Sequence, residues 1–236
     1  MPASSINFIL NPKFGEWNER IIDNLRNRTR KEKTTYRLNG DSELVAACLN
    51  HIESNSKPLD SQNVVLLMHP LYMFICDKYN ESQKLDADNY IKKFTKLLNN
   101  RDSLDANFVL LDTVHFYSGR TSLLLEDGAV DRTMLTKYDR GYLDNNSDLK
   151  YLEDKQLFVA GGYTNQCILH ILHTLTSRSR FKDNVWAIED LMLKNPKWDE
   201  NVESIRVYDV VQSGPASHVP FERTIKLDEF FQITKK

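Results

Sequence analysis

Short, continuous apolar runs separated by amphipathic segments constrain the fold of this chain more than any other feature. The clearest runs are residues 64–68, 108–111 and 157–160. Runs of this length and continuity are typical of strands that are buried on both faces of a parallel sheet. Weaker runs at residues 134–136, 185–188 and 205–211 complete the predicted strand set. The sequence therefore predicts an α/β fold.

Helical patterns lie between these strands. Apolar side chains recur at helical spacing over residues 87–98, and a helix is predicted over residues 164–177. Strands that alternate with helices imply right-handed βαβ units. We expect a Rossmann-like three-layer α/β/α domain over residues 61–236 with a mostly parallel sheet. Residues 18–26 and 42–53 also have helical patterns, which predicts an N-terminal helical extension over residues 1–60.

Composition limits the function classes. Hydrophobic residues make up 41% of the 236 residues and charged residues 27%, with a formal net charge of -2. This balance is ordinary for a globular protein and gives no support for nucleic-acid binding. No apolar stretch approaches the roughly 18 residues of a membrane span, and no secretory leader is evident. Three cysteines without metal-ligand spacing favour reduced thiols, so we expect a cytoplasmic protein without a membrane partner.

Three chemically capable side chains follow predicted strands. His69 follows the first strand, His115 the second, and Cys167 follows the strand that ends at Gly161 and Gly162. Sites in open parallel sheets lie at the carboxyl ends of the strands. Cys167 would also lie in the first turn of a helix, where free N–H groups and the helix dipole favour a thiolate and an oxyanion. The alternative is that Cys167 is a small apolar residue packing a helix against the sheet.

The string VAGGYTNQCI at residues 159–168 resembles the nucleophile motif of the isochorismatase-like cysteine hydrolases. Two further features resemble that family: Lys137, where the family has its catalytic lysine, and the stretch 185–190, which ends in an acidic residue. The resemblance covers roughly residues 62–212. It implies that Cys167 is the nucleophile and that Lys137 stabilises developing charge.

The sequence departs from that family at the first strand. The family has an aspartate there that accepts the thiol proton, and this chain has His69. One interpretation is a degenerate site that binds without turnover. The other is chemical replacement, in which the imidazole and the Cys167 thiol form a Cys–His pair.

A metal centre is not expected. Nicotinamidases of the same superfamily have an Asp-x-His pair after the second strand. Here His115 matches the histidine, but Thr113 takes the aspartate position, and Asp112 with His115 supplies too few ligands for catalytic zinc. We therefore expect no metal and no cofactor. The predicted substrate-binding residues are Gly162, Tyr163, Thr164, His115 and Tyr72.

The first hypothesis is therefore a hydrolase of a small-molecule amide, ester or related bond, with Cys167, His69 and Lys137 as catalytic residues. The alternative is a catalytically inactive isochorismatase-like protein that binds a ligand or a protein partner. A third hypothesis places the function in residues 1–60 as an interaction segment. We expect a small-molecule substrate, no nucleic acid, and assembly into a homo-oligomer.

Overall fold

The computed structural model of the chain describes residues 42–71, 81–117, 121–136, 143, 148–163, 167–176, 181, 183–193 and 223–236. In this part of the chain, six parallel strands form one sheet in the order β3-β2-β1-β4-β5-β6. The strands are β1 (Asn63–Met68), β2 (Asn107–Thr113), β3 (Arg132–Thr136), β4 (Gln156–Ala160), β5 (Val185–Ile188) and β6 (Thr224–Ile225). The predicted α/β class with a parallel sheet is confirmed.

Helices cover both faces of this sheet. They are α1 (Ser42–Asn55), α2 (Glu81–Asn99), the single turn α3 (Val114–Phe116), α4 (Ser122–Glu126), α5 (Leu169–Thr176) and α6 (Leu227–Thr234). Side chains of α1, α2, α4 and α6 pack in one core cluster, and those of α5 in a second cluster on the opposite face. Alternate residues of the central strands enter the two clusters, for example Val65 and Leu67 in the first and Val64 and Leu66 in the second. The result is three layers, α/β/α.

The strand order places a switch point between β1 and β4. The chain moves outward from β1 through β2 to β3, then returns across β1 to form β4, β5 and β6. β1 therefore pairs with β2 on one side and with β4 on the other. In open α/β sheets, ligands bind in the crevice outside the carboxyl ends of the strands at such a point.

Most predicted elements within the described residues are confirmed. Each of the strands predicted at 64–68, 108–111, 134–136, 157–160 and 185–188 lies inside an observed strand, and the helices predicted at 42–53 and 87–98 lie inside α1 and α2. The predicted helix at 18–26 and strand at 205–211 lie outside the described residues. The division of the chain at residue 60 stays a prediction, although Cys48 and Ile52 of α1 pack in the same core cluster as the sheet. None of the helices in the described segments is long and apolar enough to cross a membrane.

A buried ion pair fixes the amino-terminal edge of the sheet. Arg101 forms an ion pair with Asp131 just before β3 and also donates to the Gly128 carbonyl. The second carboxylate oxygen of Asp131 accepts the backbone N–H of Phe108 at 2.8 Å and the side-chain amide of Asn107 at 3.3 Å. Because the Arg101 and Asp131 side chains are only 18% and 6% exposed, each depends on the other to offset its loss of hydration.

Replacing Asp131 with Ala should therefore destabilise the protein by about 3 kcal/mol, since a partly buried guanidinium would lose its partner. The measurement is the free energy of unfolding in urea. The matched control is Asp228→Ala, which breaks the Lys96–Asp228 pair, whose side chains are 51% and 77% exposed. That control should cost less than about 1 kcal/mol. Equal losses for the two variants would contradict the role given to Asp131.

Candidate functional site

A turn of two glycines at the end of β4 lies directly against the end of β1. Gly161 and Gly162 have φ values of 93° and 50°, a region that favours glycine. A Cβ on Gly161 would also collide with the carbonyl oxygen of Met68. The segment after β5 also holds this turn. The Gly161 N–H donates to the Leu191 carbonyl at 2.6 Å, and the Leu193 N–H donates to the Gly162 carbonyl at 2.9 Å. The two strands therefore meet at the switch point with no side chain between their backbones.

Cys167 lies at this turn, in the helical segment that continues into α5. Its Sγ is so close to Gly162 that a Cβ there would overlap the sulfur. The Tyr163 carbonyl accepts both the thiol, with the sulfur at 3.8 Å, and the Ile168 N–H at 3.3 Å. The residue is 3% exposed and packs in the second core cluster with aliphatic side chains such as Ile168 and Val159. The thiol thus faces the protein interior, and residues 164–166, where the helix was predicted to begin, lie outside the described residues.

Burial controls the charge of the thiol. Loss of hydration raises the pKa of Cys167 to about 12. Backbone N–H groups of Tyr163, Ile168 and Cys167 act in the opposite direction, and the nearby Asp112 carboxyl raises the pKa further. Desolvation exceeds the effect of the helix start, so the direction is opposite to the expected depressed pKa. The thiol is un-ionised at neutral pH.

His69 follows β1, and its side chain points toward the β3 edge of the sheet, away from β4. Its φ is 42°, an uncommon value for a residue with a Cβ, and its N–H donates to the Leu111 carbonyl at 3.0 Å. The ring Nε2 lies 3.0 Å from the Thr136 hydroxyl at the end of β3. Because β2 lies between β1 and β3, this hydrogen bond carries the imidazole over β2 and away from β4. Desolvation lowers the pKa of this imidazole, 2% exposed, to about 3.

The described hydrogen bonds do not join Cys167 to His69, and the expected Cys–His pair stays a prediction. Within the described part of the chain, the Cys167 thiol bonds to the Tyr163 carbonyl and the His69 ring bonds to Thr136. The sequence placed both residues at neighbouring strand ends, which is confirmed, because β1 and β4 are adjacent. It could not indicate the positive φ that accompanies the turn of the imidazole toward β3.

The other predicted site residues divide into two groups. Gly162 and the buried Tyr163 lie at the turn, next to the sulfur. Lys137, Tyr72 and Thr164 lie outside the described residues, as does the side chain of His115, whose backbone is in α3. Their predicted roles stay predictions. The described residues contain no group of three or more metal-ligating side chains that could hold an ion.

Buried polar side chains at the same edge form a cluster that the sequence reasoning did not assign. Asp112 and Thr113 end β2, and Thr121 precedes α4; all three are buried. The Asp112 carboxyl accepts the Thr121 hydroxyl and the Thr113 N–H, each at 2.8 Å. The signal that could have revealed this cluster is a carboxylate directly after four apolar strand residues. These groups supply hydrogen bonds next to the switch point.

The depressed pKa of His69 predicts a pH dependence of stability. An unfolded chain takes up a proton near pH 6.5, whereas the folded imidazole resists protonation until about pH 3. Stability present above pH 6.5 is therefore lost as the pH falls toward 3. Between pH 6 and 4, the wild type should lose about 2 kcal/mol more than His69→Gln, which keeps a hydrogen-bonding group but does not titrate. The measurement is urea unfolding of both proteins at each pH, and parallel losses would contradict a buried neutral imidazole.

Comparison of the chain with protein-family models, with curated proteins and with solved structures gives no match. The resemblance to isochorismatase-like hydrolases thus stays a proposal that depends on the motif at residues 159–168.

Proposed function

We propose that this chain is a small-molecule-binding α/β protein, a catalytically inactive relative of the isochorismatase-like hydrolases. The proposal depends on the burial and the neutral charge of the Cys167 thiol and the His69 imidazole. Cys167 is a buried, un-ionised thiol bonded to the Tyr163 carbonyl, and His69 is a buried, neutral imidazole bonded to Thr136. Neither group is prepared for nucleophilic catalysis.

The position of the switch point supports a binding role. Parallel α/β sheets bind ligands at this point because the loops diverge there and leave a crevice. In this chain the Gly161–Gly162 turn after β4 borders the switch point on one side. On the other side lie buried polar groups at the ends of β1, β2 and β3, namely His69, Asp112 and Thr136. The space beside these glycines is filled by the Met68 carbonyl oxygen and the Cys167 sulfur, so a ligand would contact the polar groups instead. Hydroxyl, carboxyl and imidazole groups then provide a small number of hydrogen bonds for orientation.

The charge of the thiol argues against hydrolysis. With a pKa of about 12, only about one thiol in 10⁵ is a thiolate at pH 7. Cysteine hydrolases instead activate the nucleophile with a hydrogen-bonded base or with a depressed pKa. In the described part of the chain, the hydrogen bond of the Cys167 thiol goes to a carbonyl, which cannot accept its proton.

One observation favours the cysteine-dependent hydrolase as a second candidate. Backbone hydrogen bonding at Tyr163, Ile168 and Cys167 acts to lower the pKa of the thiol, and backbone N–H groups can stabilise a thiolate or an oxyanion. In this second candidate, Cys167 attacks a small-molecule amide or ester, His69 takes the thiol proton, and Lys137 stabilises the charge. It requires the turn to open and the imidazole to leave Thr136.

Thiol alkylation separates the two candidates. In a Cys48→Ser, Cys76→Ser background, Cys167 should react with iodoacetamide at least about 100-fold more slowly in the native protein than in urea, because the sulfur is buried and un-ionised. The measurement is the alkylation rate between pH 6 and 9, with Cys167→Ala as the blank. Fast reaction with an inflection below pH 8, together with ester or amide hydrolysis that Cys167→Ala abolishes, would favour the hydrolase instead.

Binding itself is tested by NMR on the ¹⁵N-labelled full chain. A panel of small carboxylic acids and amides should include compounds that shift the amide signals of Gly161 and Gly162, since these groups border the switch point. The Gly128 amide, at the opposite edge next to the Arg101–Asp131 pair, serves as the control and should not move. His69→Gln should alter the affinity of the compounds that bind. Shifts confined to Gly128, or no shifts at either glycine of the turn, would contradict a binding site at this edge.

A further inference from the structure

The C-terminal residues 223–236, called here the C-terminal strap, pack across one face of the sheet. They run from the carboxyl-terminal ends of the strands to the amino-terminal ends. Near the carboxyl-terminal edge, Thr224 and Ile225 of β6 pair with Ala187 and Ile188 of β5. On the face of the sheet, the ring of Phe230 is fully buried and meets the ring of Phe158 at 4.9 Å between centroids.

At the amino-terminal edge the strap is held by backbone hydrogen bonds. The Asp105 N–H donates to the Thr234 carbonyl at 2.5 Å, and the Lys236 N–H donates to the Ser103 carbonyl at 3.1 Å. The strap is therefore anchored at both ends and in the middle.

Asp190 connects the strap to the end of β5. One carboxylate oxygen accepts the Lys93 ammonium of α2 at 2.7 Å, and the other accepts the N–H of Leu227, the first residue of α6, at 3.0 Å. The neighbouring Glu189 forms an ion pair with Lys226 of the strap. A carboxylate at a helix start satisfies an N–H group that has no partner within the helix and interacts favourably with the helix dipole. These contacts fix the 3-10 turn Glu189–Leu191 to the strap.

The end of this 3-10 turn and the residues directly after it hold the glycines at the switch point. The Leu191 carbonyl accepts the Gly161 N–H, and the Leu193 N–H donates to the Gly162 carbonyl. Tyr163 and Leu193 also form a parallel bridge. Gly162 in turn lies against the Cys167 sulfur. A continuous series of contacts thus leads from α6 through Asp190 to the thiol.

From this series we infer that the C-terminal strap is a closing device for the switch point, and that Asp190 is the positioning residue through which it acts. Release of the strap frees the 3-10 turn, which then lets the Gly161–Gly162 turn move off Cys167. The inference does not depend on whether a small molecule binds there.

The exposure of these contacts makes such a release feasible. Lys93 and Asp190 are 44% and 21% exposed, and Lys226 and Glu189 are 57% and 32% exposed, whereas the last four residues of β4 are buried. Hydrogen bonds that solvent can reach open locally at a lower free-energy cost than the core strands. The strap, including β6, can therefore detach at its carboxyl-edge end while strands β1 to β5 stay folded.

The test uses the full chain with Asp190→Asn, which keeps the side-chain shape but removes the charge that holds Lys93 and α6. We expect Cys167 alkylation to become at least about tenfold faster, because local opening controls access to a buried thiol. Hydrogen exchange of the Gly161 and Leu193 amides should accelerate in parallel. Cys48, a buried residue of α1, is an internal reference and should keep its wild-type alkylation rate.

The matched control is Asp228→Asn, which breaks an exposed ion pair on the same helix but touches neither the 3-10 turn nor the glycines. It should leave the alkylation rates and the amide exchange unchanged. Equal acceleration at Cys48 and Cys167 in Asp190→Asn would overturn the inference, since it would mean global destabilisation. Unchanged Gly161 exchange in that variant would overturn it too. A wild-type thiol that already reacts fast contradicts the inactive-site proposal alone, because the amide exchange still reports on the strap.

Discussion

Parallel pairing of β1 with both β2 and β4 is the constraint on which the rest of this structure depends. All five apolar residues of β1 are fully buried, so the strand is covered on both faces as well as on both sides. Backbone groups of such a strand have no access to water and must bond to neighbouring strands. This fixes the strand order, and the strand order places the ends of β1 and β4 next to each other. The candidate site exists because of that adjacency.

The chemistry of the site is decided by a competition between two physical effects. A helix start with free N–H groups favours an anionic sulfur, and removal from water disfavours it. At Cys167 the second effect is larger, because the thiol packs among aliphatic side chains and the glycine turn closes against it. His69 experiences the same desolvation with the opposite consequence for its pKa, since the charged form of an imidazole is the protonated one. Both groups are therefore neutral, for one shared reason.

The sequence was sufficient for strands β1 to β5 and insufficient for the C-terminal elements β6 and α6. The residues of β1, β2 and β4 form continuous apolar runs, and such runs have one common explanation in an α/β chain. β6 is two residues long, and α6 has only eight, so neither carries enough periodicity to be recognised before the tertiary contacts are known. At the site, the positions of Cys167 and His69 followed from the strand ends. Their charges and hydrogen bonds did not, because these depend on packing and on a backbone angle at His69 that no spacing encodes.

The contact between Gly162 and the Cys167 sulfur has a consequence for how this sequence can vary. The two positions share a single volume: the space that a Cβ would occupy at position 162 is already filled by the sulfur. Related chains can enlarge one position only by shrinking the other, and the positive φ at 162 limits even that exchange. In an alignment of related sequences, this geometry requires positions 162 and 167 to change together.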